Sequence, residues 1–134
     1  MKLKTAVRQW TMSAPLVTAG ETVSAIDVLH IELSADGLKG RAETMGVDYL
    51  GETVASMQAE LGQIDEPALA TLSGADLQAI LPPGGSRNGL DCALWDLRAK
   101  QSSGGIAALT GIPLQPRETL YTLSLDDPEN MARC

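Results

Sequence analysis

The hydrophobic rhythm of this chain changes period near Glu52, and that change limits the folds open to it. Before it, residues 23–34 (VSAIDVLHIELS) alternate, with Ile26, Val28 and His30 on one face and Leu29, Ile31 and Leu33 on the other. Strict alternation marks a strand, and two apolar faces predict one covered on both sides. The "ADG" at 35–37 is a hairpin signal, and LKGRAE at 38–43 is the returning strand. Residues 3–11 (LKTAVRQWT) alternate weakly and supply a further strand, with 12–22 (MSAPLVTAGET) and 44–51 (TMGVDYLG) as loops. The first third is therefore expected to be an antiparallel three-stranded meander.

Past Glu52 the spacing becomes helical. Val54, Met57, Leu61 and Ile64 step by 3, 4 and 3, the pattern of an amphipathic helix. Leu69 and Leu72, then Leu77, Ile80 and Leu81, predict two short helices, the second entered at Ser73 and stopped by Pro82 and Pro83. Leu90, Ala93, Leu94 and Leu97 recur at i, i+3, i+4 and i+7, which makes 87–101 a helix. Gly104 and Gly105 end it, and Ile106 to Leu109 add a helical turn. Residues 119–125 (TLYTLSL) read as a lone strand, and DDPEN reads as a helix start, with Asp before Pro at the first helical position. That closing strand–helix unit opens without being completed, so the chain is expected to be cut from something longer. The expected class is α+β, a meander followed by a helical bundle. With 3% aromatic residues and no Phe, Leu, Ile, Val, Ala and Met must fill its interior.

The 134 residues carry a net charge of −7, and no basic stripe interrupts it. Nucleic acid and anionic membrane surfaces are poor partners for such a chain, because both require clustered Lys and Arg. The opening MKLKTAVRQW lacks the continuous apolar run of a signal peptide. No stretch approaches the roughly 18 apolar residues of a membrane span. Cys92 and Cys134 give neither a disulfide framework nor zinc spacing. Cys92 is expected to be a small core residue, and a reducing, cytoplasmic setting follows.

Chemistry-bearing residues are scattered. In GLDCALWDLRAK, Asp91 and Asp96 diverge by about 140° on one helix and cannot converge on one substrate atom. Asp96 faces Lys100 at i+4, a helix-surface pair. Lys2 and Lys4 share a strand face, with solvent as their expected surroundings. His30, the single histidine, lacks a neighbouring Cys or acid cluster and is expected to be a packed or edge residue. Asp126, Asp127 and Glu129 are accounted for by helix capping. GGSRNGLD at 84–91 begins like a phosphate loop but lacks the Lys-Ser/Thr that would reach the phosphates. Spacing alone assembles no catalytic or metal set.

The combination ILPPGGSRNGLDCALWDLRAKQSS followed by IAALTGIP resembles the helical part of the N-terminal capping domain of the enolase superfamily. Its muconate-lactonizing subgroup, and within that the dipeptide epimerases of alanyl-glutamate epimerase type, fit best. YLGETVASM and TLYTLSLDDPENMA are similar to the same family, so the likeness runs along essentially the whole chain. It implies a capping domain over residues 1–113 and the beginning of a (β/α)8-type barrel over 114–134. Segments 15–24 and 44–51 would be lid loops that close on substrate, and TLYTLSL the first barrel strand. Thr122 matches a substrate-contacting position, in keeping with barrel sites at strand C-termini.

The family's reaction inverts the α-carbon of a dipeptide's second residue with two barrel lysines, through an enediolate stabilised by Mg²⁺ on three acidic residues. Those groups belong to later barrel strands, so neither catalytic residues nor metal ligands are expected in this segment. Lys2 and Lys4 do not correspond to the family's Lys-x-Lys. Where alanyl-glutamate enzymes carry a basic residue in the first lid loop, this chain has Gly20 followed by Glu21. With Asp48 in the second loop, these predict a neutral or cationic dipeptide in preference to Ala-Glu, and Gly20, Glu21, Asp48, Tyr49 and Thr122 are the implied substrate-binding residues. The implied partners are a dipeptide or related small carboxylate and the chain's own C-terminal barrel, with homo-oligomerisation left open. Muconate lactonization, succinylbenzoate formation and N-acylamino acid racemization use the same cap and remain alternatives. A stand-alone, non-catalytic interaction module is the remaining one.

Overall fold

The computed structural model describes residues 1–133, with the side chains of residues 66 and 70 left aside. Three antiparallel strands, β1 (Lys2–Val17), β2 (Thr22–Ala35) and β3 (Leu38–Thr44), lie in the order β1-β2-β3. A 3₁₀ turn at Asp48–Leu50 follows, then α1 (Val54–Leu61), α2 (Glu66–Ala70), α3 (Gly74–Ile80), α4 (Gly85–Gln101), α5 (Gly105–Thr110) and α6 (Pro128–Met131). This is the α+β arrangement that the change of period implies.

The β2–β3 turn is the expected tight hairpin: Asp36 and Gly37 both take positive φ, 51° and 78°, as a primed two-residue turn requires. β1 departs from expectation. It runs to Val17, through most of the segment read as a loop. Its pairing with β2 is regular from Lys2↔Ser34 to Thr11↔Ala25, then shifts so that Leu16 meets Val23 and Val17 meets Thr22. Residues 12–15, with a proline that cannot donate to a ladder, form the irregularity. The segment expected to be the first lid is thus a long two-stranded arm, with only 18–21 left as its turn.

Leu29, Ile31 and Leu33 are fully buried beneath the helices, whereas the opposite face of β2 carries no helix among the described residues. The expectation of a strand covered on both sides holds without helices on the second side: there Val28 is buried and Ile26 and His30 are half-buried. The outer face is covered by its own cross-strand neighbours: Glu32 pairs with Lys39 at 2.8 Å and Arg41 at 3.1 Å, and Trp10 Nε1 donates to Glu43 Oε2 at 2.9 Å. His30 stands half-buried on this face between Ala6 and Glu43, on the central strand and not at an edge.

The core joins Leu29, Ile31 and Leu33 to Met57, Leu61, Leu69, Leu72, Leu77, Leu81, Leu90, Ala93, Leu94 and Leu97. It is aliphatic, as composition requires. Helix α4 is its centre and lies directly on β3, where Gly40 lets the two backbones approach and Gly89 makes room for the Ile31 and Thr44 side chains. Asp96 fastens this contact, accepting from the Arg41 backbone N–H at 2.7 Å and from Lys100 Nζ at 2.6 Å. Capping boxes start α1 (Thr53 with Ser56) and α3 (Ser73 with Asp76), so two helices begin where a side chain satisfies the first orphan N–H groups. Hydrogen bonds from Ser73 hold the Asp76 carboxyl below its usual pKa.

Two further expectations are corrected. Cys92 is exposed; it lies about 200° around α4 from Leu90, opposite the buried stripe. Trp95 shares that outer side at 40% exposure. Cys134 lies outside the described residues. TLYTLSL forms no strand, since no ladder partner lies beside it among the described residues, and Leu120 is 96% exposed. The segment is held at its C-terminal end: Leu125 N–H donates to Val17 O at 2.8 Å, and Ser124 Oγ accepts from Val17 N–H at 2.8 Å while donating to Pro15 O at 3.2 Å.

Candidate functional site

At the end of the sheet where the β1–β2 arm turns back, a cleft of about 760 Å³ opens between the start of β2 and the loop after β3. The first wall is set by local chemistry. Thr18 Oγ1 accepts from the backbone N–H of Gly20 (3.3 Å) and Glu21 (3.2 Å), and Thr18 N–H donates to Glu21 O at 2.9 Å. This closes the turn and delivers Glu21 to the cleft. The second wall is the 3₁₀ turn, which brings in Asp48 and ends at Gly51 with φ 73°.

Four carboxylates line this cleft, Glu21, Asp27, Asp48 and Glu52, and no Lys or Arg does. Two of the four are already engaged. Asp27 Oδ1 accepts from Gln9 Nε2 at 2.9 Å. Glu52 Oε1 accepts from Gly85 N–H at 2.6 Å and Oε2 from Val47 N–H at 3.2 Å. Among the described residues, no hydrogen bond or ion pair engages the Glu21 or Asp48 carboxylates, so both present negative charge to whatever enters. Val7, Val23 and Met45 supply apolar wall.

The structure thus joins two of the residues singled out in the sequence, Glu21 and Asp48, across 27 positions. Gly20 adjoins Glu21 in the turn, and a Cβ there would meet nothing within 4 Å. Tyr49 is on the same 3₁₀ turn as Asp48 but does not line the cleft and is 89% exposed. Thr122 is exposed on the extended segment and also does not line it.

Sequence reasoning missed two residues that organise the site. Glu52 stood inside YLGETVASM with no role attached. Ser124 ties the arm, beside its turn at Val17, to the segment bearing Thr122, 107 positions away. The pairing partners of both are remote backbone groups, which no local pattern announces. Of the C-terminal acids expected to cap a helix, Asp127 is the N-cap of α6 but makes no side-chain cap hydrogen bond; it is Asp126 whose Oδ1 accepts from Asp127 N–H at 2.7 Å and Asn130 Nδ2 at 3.2 Å. Those two bonds, the backbone one first, hold its carboxyl below the usual range. Among the described residues no group of three or more His, Cys, Asp or Glu could hold a metal ion. None of the helices there is long and apolar enough to cross a membrane. A larger cleft of about 1090 Å³ lies at the other end of the sheet, floored by Leu94 and Leu97 and flanked by Arg98, which donates to Leu72 O at 2.9 Å.

The sequence model of the "Mandelate racemase / muconate lactonizing enzyme, N-terminal domain" family matches residues 1–111. The chain is 36% identical over 124 residues to the L-Ala-D/L-Glu epimerase of Escherichia coli K12, covering 92% of this chain and 39% of that protein. It superposes with a TM-score of 0.88 on an enolase family member from Agrobacterium tumefaciens, described as homologous to dipeptide epimerases and holding sodium and L-Ala-L-Glu. The identity there is 30%, over 98% of this chain and 40% of that one. A dipeptide epimerase from Methylococcus capsulatus, complexed with Mg and L-Arg-D-Lys, gives a TM-score of 0.61 and 27% identity over 75% of this chain and 31% of that one. The chain spans about 40% of the length of the first two relatives.

Proposed function

Because the chain belongs to the mandelate racemase / muconate lactonizing enzyme N-terminal domain family, we propose that it is the capping portion of a Mg²⁺-dependent dipeptide epimerase. In this reading residues 1–113 form the cap and 114–134 lead into a (β/α)8-type barrel that supplies the two lysines and the metal ligands. Among the described residues no group of three or more His, Cys, Asp or Glu could hold a metal ion, so in this reading every Mg²⁺ ligand comes from the barrel. A cytoplasmic setting belongs to the same proposal.

The work of this chain is selection and enclosure. The single observation that carries the reading is the meeting of Glu21 and Asp48 in one cleft without a compensating cation. A dipeptide side chain bearing an ammonium or guanidinium group gains two attractive contacts there, while a glutamyl carboxylate meets two like charges. Partly exposed charge pairs are individually weak, up to about 1 kcal/mol each. Together they amount to roughly tenfold or more in relative kcat/KM. The Methylococcus relative, complexed with L-Arg-D-Lys, supports the view that this architecture accommodates cationic dipeptides. The apolar wall of Val7, Val23 and Met45 leaves room for a neutral aliphatic side chain as well.

The test is incorporation of solvent deuterium at the α-carbon of the second residue, measured for Ala-Lys, Ala-Leu and Ala-Glu with the complete protein. Exchange is expected with the first two in preference to the third, and Glu21→Lys should shift the ratio toward Ala-Glu by roughly tenfold. Equal turnover of all three removes the specificity reading. Absence of exchange with any dipeptide removes the epimerase reading, and concentration-dependent association of such an inactive protein would favour an interaction module.

A further inference from the structure

We infer that Glu52 is the positioning residue of the loop carrying Asp48, and so sets the charge that the cleft offers to a substrate side chain. The inference rests on the dipeptide reading for its functional half and on geometry alone for its structural half.

Glu52 closes the loop upon itself and then fastens it to the core. Its backbone N–H donates to Val47 O at 3.3 Å, while its side-chain Oε2 accepts from Val47 N–H at 3.2 Å. Residues 47–52, with Asp48 inside, are thereby cinched into one ring. The other carboxylate oxygen accepts from the N–H of Gly85, the first residue of α4, at 2.6 Å. Helix α4 is 17 residues long and rests on the sheet, so it is the least movable anchor the fold offers. Its N-terminus also favours an anion, because the aligned peptide dipoles and orphan N–H groups present positive charge there. Gly84 offers no side chain to cap it. The stretch that starts like a phosphate loop, GGSRNGLD, therefore receives the chain's own carboxylate.

Two glycines leave room for this arrangement. A Cβ on Gly84 would stand 2.5 Å from Glu52 Oε1, and one on Gly46 would collide with the Glu52 carbonyl oxygen. A residue needed only to begin α1 would require none of this, since Thr53 and Ser56 already cap that helix. Glu52 reaches away from α1, toward the loop and α4, and it lines the cleft beside Asp48.

The test uses the complete protein with Glu52→Gln and, independently, Gly84→Ala. The glutamine keeps the volume, but its single carbonyl oxygen can satisfy only one of the two N–H groups. The alanine leaves Glu52 in place and pushes its carboxylate aside; the Gly84 backbone is extended (φ 163°) and accepts any residue. Hydrogen exchange resolved to single amides should show Val47 and Gly85 exchanging faster, by roughly tenfold, in both variants, with the α4 interior unchanged. Unchanged protection at both amides overturns the clamp, whatever the substrate proves to be. In turnover, Glu52→Gln should raise KM for the preferred dipeptide by roughly tenfold while kcat stays within about twofold. Asp48→Asn should have a smaller effect in the Glu52→Gln background than alone, because the two act through one element. Additive effects, or a fall in kcat without a rise in KM, overturn the positioning role. Wild-type protein that exchanges no dipeptide α-proton overturns the epimerase reading, and with it the functional half of the inference, while the amide measurement still judges the clamp.

Discussion

Gly40→Ala is the substitution whose cost the structure fixes most directly. Gly40 lies on the inner face of β3, paired with Leu33, directly under α4. An added Cβ would sit 2.7 Å from Leu97 N and 2.6 Å from Leu97 Cβ, and closer still to the Ala93 carbonyl oxygen. Two of those three atoms are backbone, so no rotamer change relieves the overlap. Restoring ordinary contact distances requires α4 to lift by about 1 Å. That movement would loosen Leu90, Ala93, Leu94 and Leu97 together, and overpacking of this kind costs about 3 kcal/mol. In a protein with roughly 5–15 kcal/mol in hand, this is a large fraction. Thermal unfolding followed by far-UV circular dichroism should show a midpoint lowered by roughly 10 °C. Two other glycines calibrate the result. Gly51→Ala meets open space but positive φ (73°), which costs about 1 kcal/mol. Gly20→Ala meets nothing and has no positive φ, so it should leave the midpoint unchanged. A Gly40→Ala midpoint within about 3 °C of wild type would refute the close-packing argument.

Two further predictions concern connections between distant parts of the chain. Partial burial pushes the Asp96 carboxyl up, but Lys100 and the Arg41 backbone N–H outweigh that and leave its pKa below the ordinary 3.8. A depressed native pKa means that the ionised form stabilises the fold above the ordinary value, and that this contribution is lost as pH falls through the native one. Asp96→Asn should therefore lower denaturation midpoints at neutral pH, by roughly 1 kcal/mol, and converge with wild type in strong acid; an equal difference at all pH values would contradict this assignment. Ser124→Ala removes the acceptor for Val17 N–H and the donor to Pro15 O. Amide exchange at Val17 should rise roughly tenfold, with β1 pairing between Lys2 and Thr11 untouched; unchanged protection at Val17 would show that the arm is held by other means.

Secondary structure was largely legible in the sequence because the physics behind it is local. Alternation in VSAIDVLHIELS, the ADG turn, Ser73 before GADLQAI and the leucine spacing of GLDCALWDLRAK each state their element within a few residues. Where local signals failed, a distant partner had decided the matter. Leu16 and Val17 look like part of a loop but pair with Val23 and Thr22 because β2 continues opposite them, with 12–15 carried as an irregularity. TLYTLSL has strand composition but no ladder to join among the described residues. Cys92 has the character of a core residue, yet the α4 stripe defined by its neighbours turns it outward. The candidate site divides in the same way. Glu21 and Asp48 stand out in the sequence as acids in two segments expected to be loops, but only the tertiary structure shows that they share a cleft. Only it shows that Glu52 spends its charge on α4 and that Ser124 holds the arm. Periodicity is carried by side chains within a turn or two of one another, whereas a carboxylate's partner 33 residues away is chosen by how helices settle on a sheet.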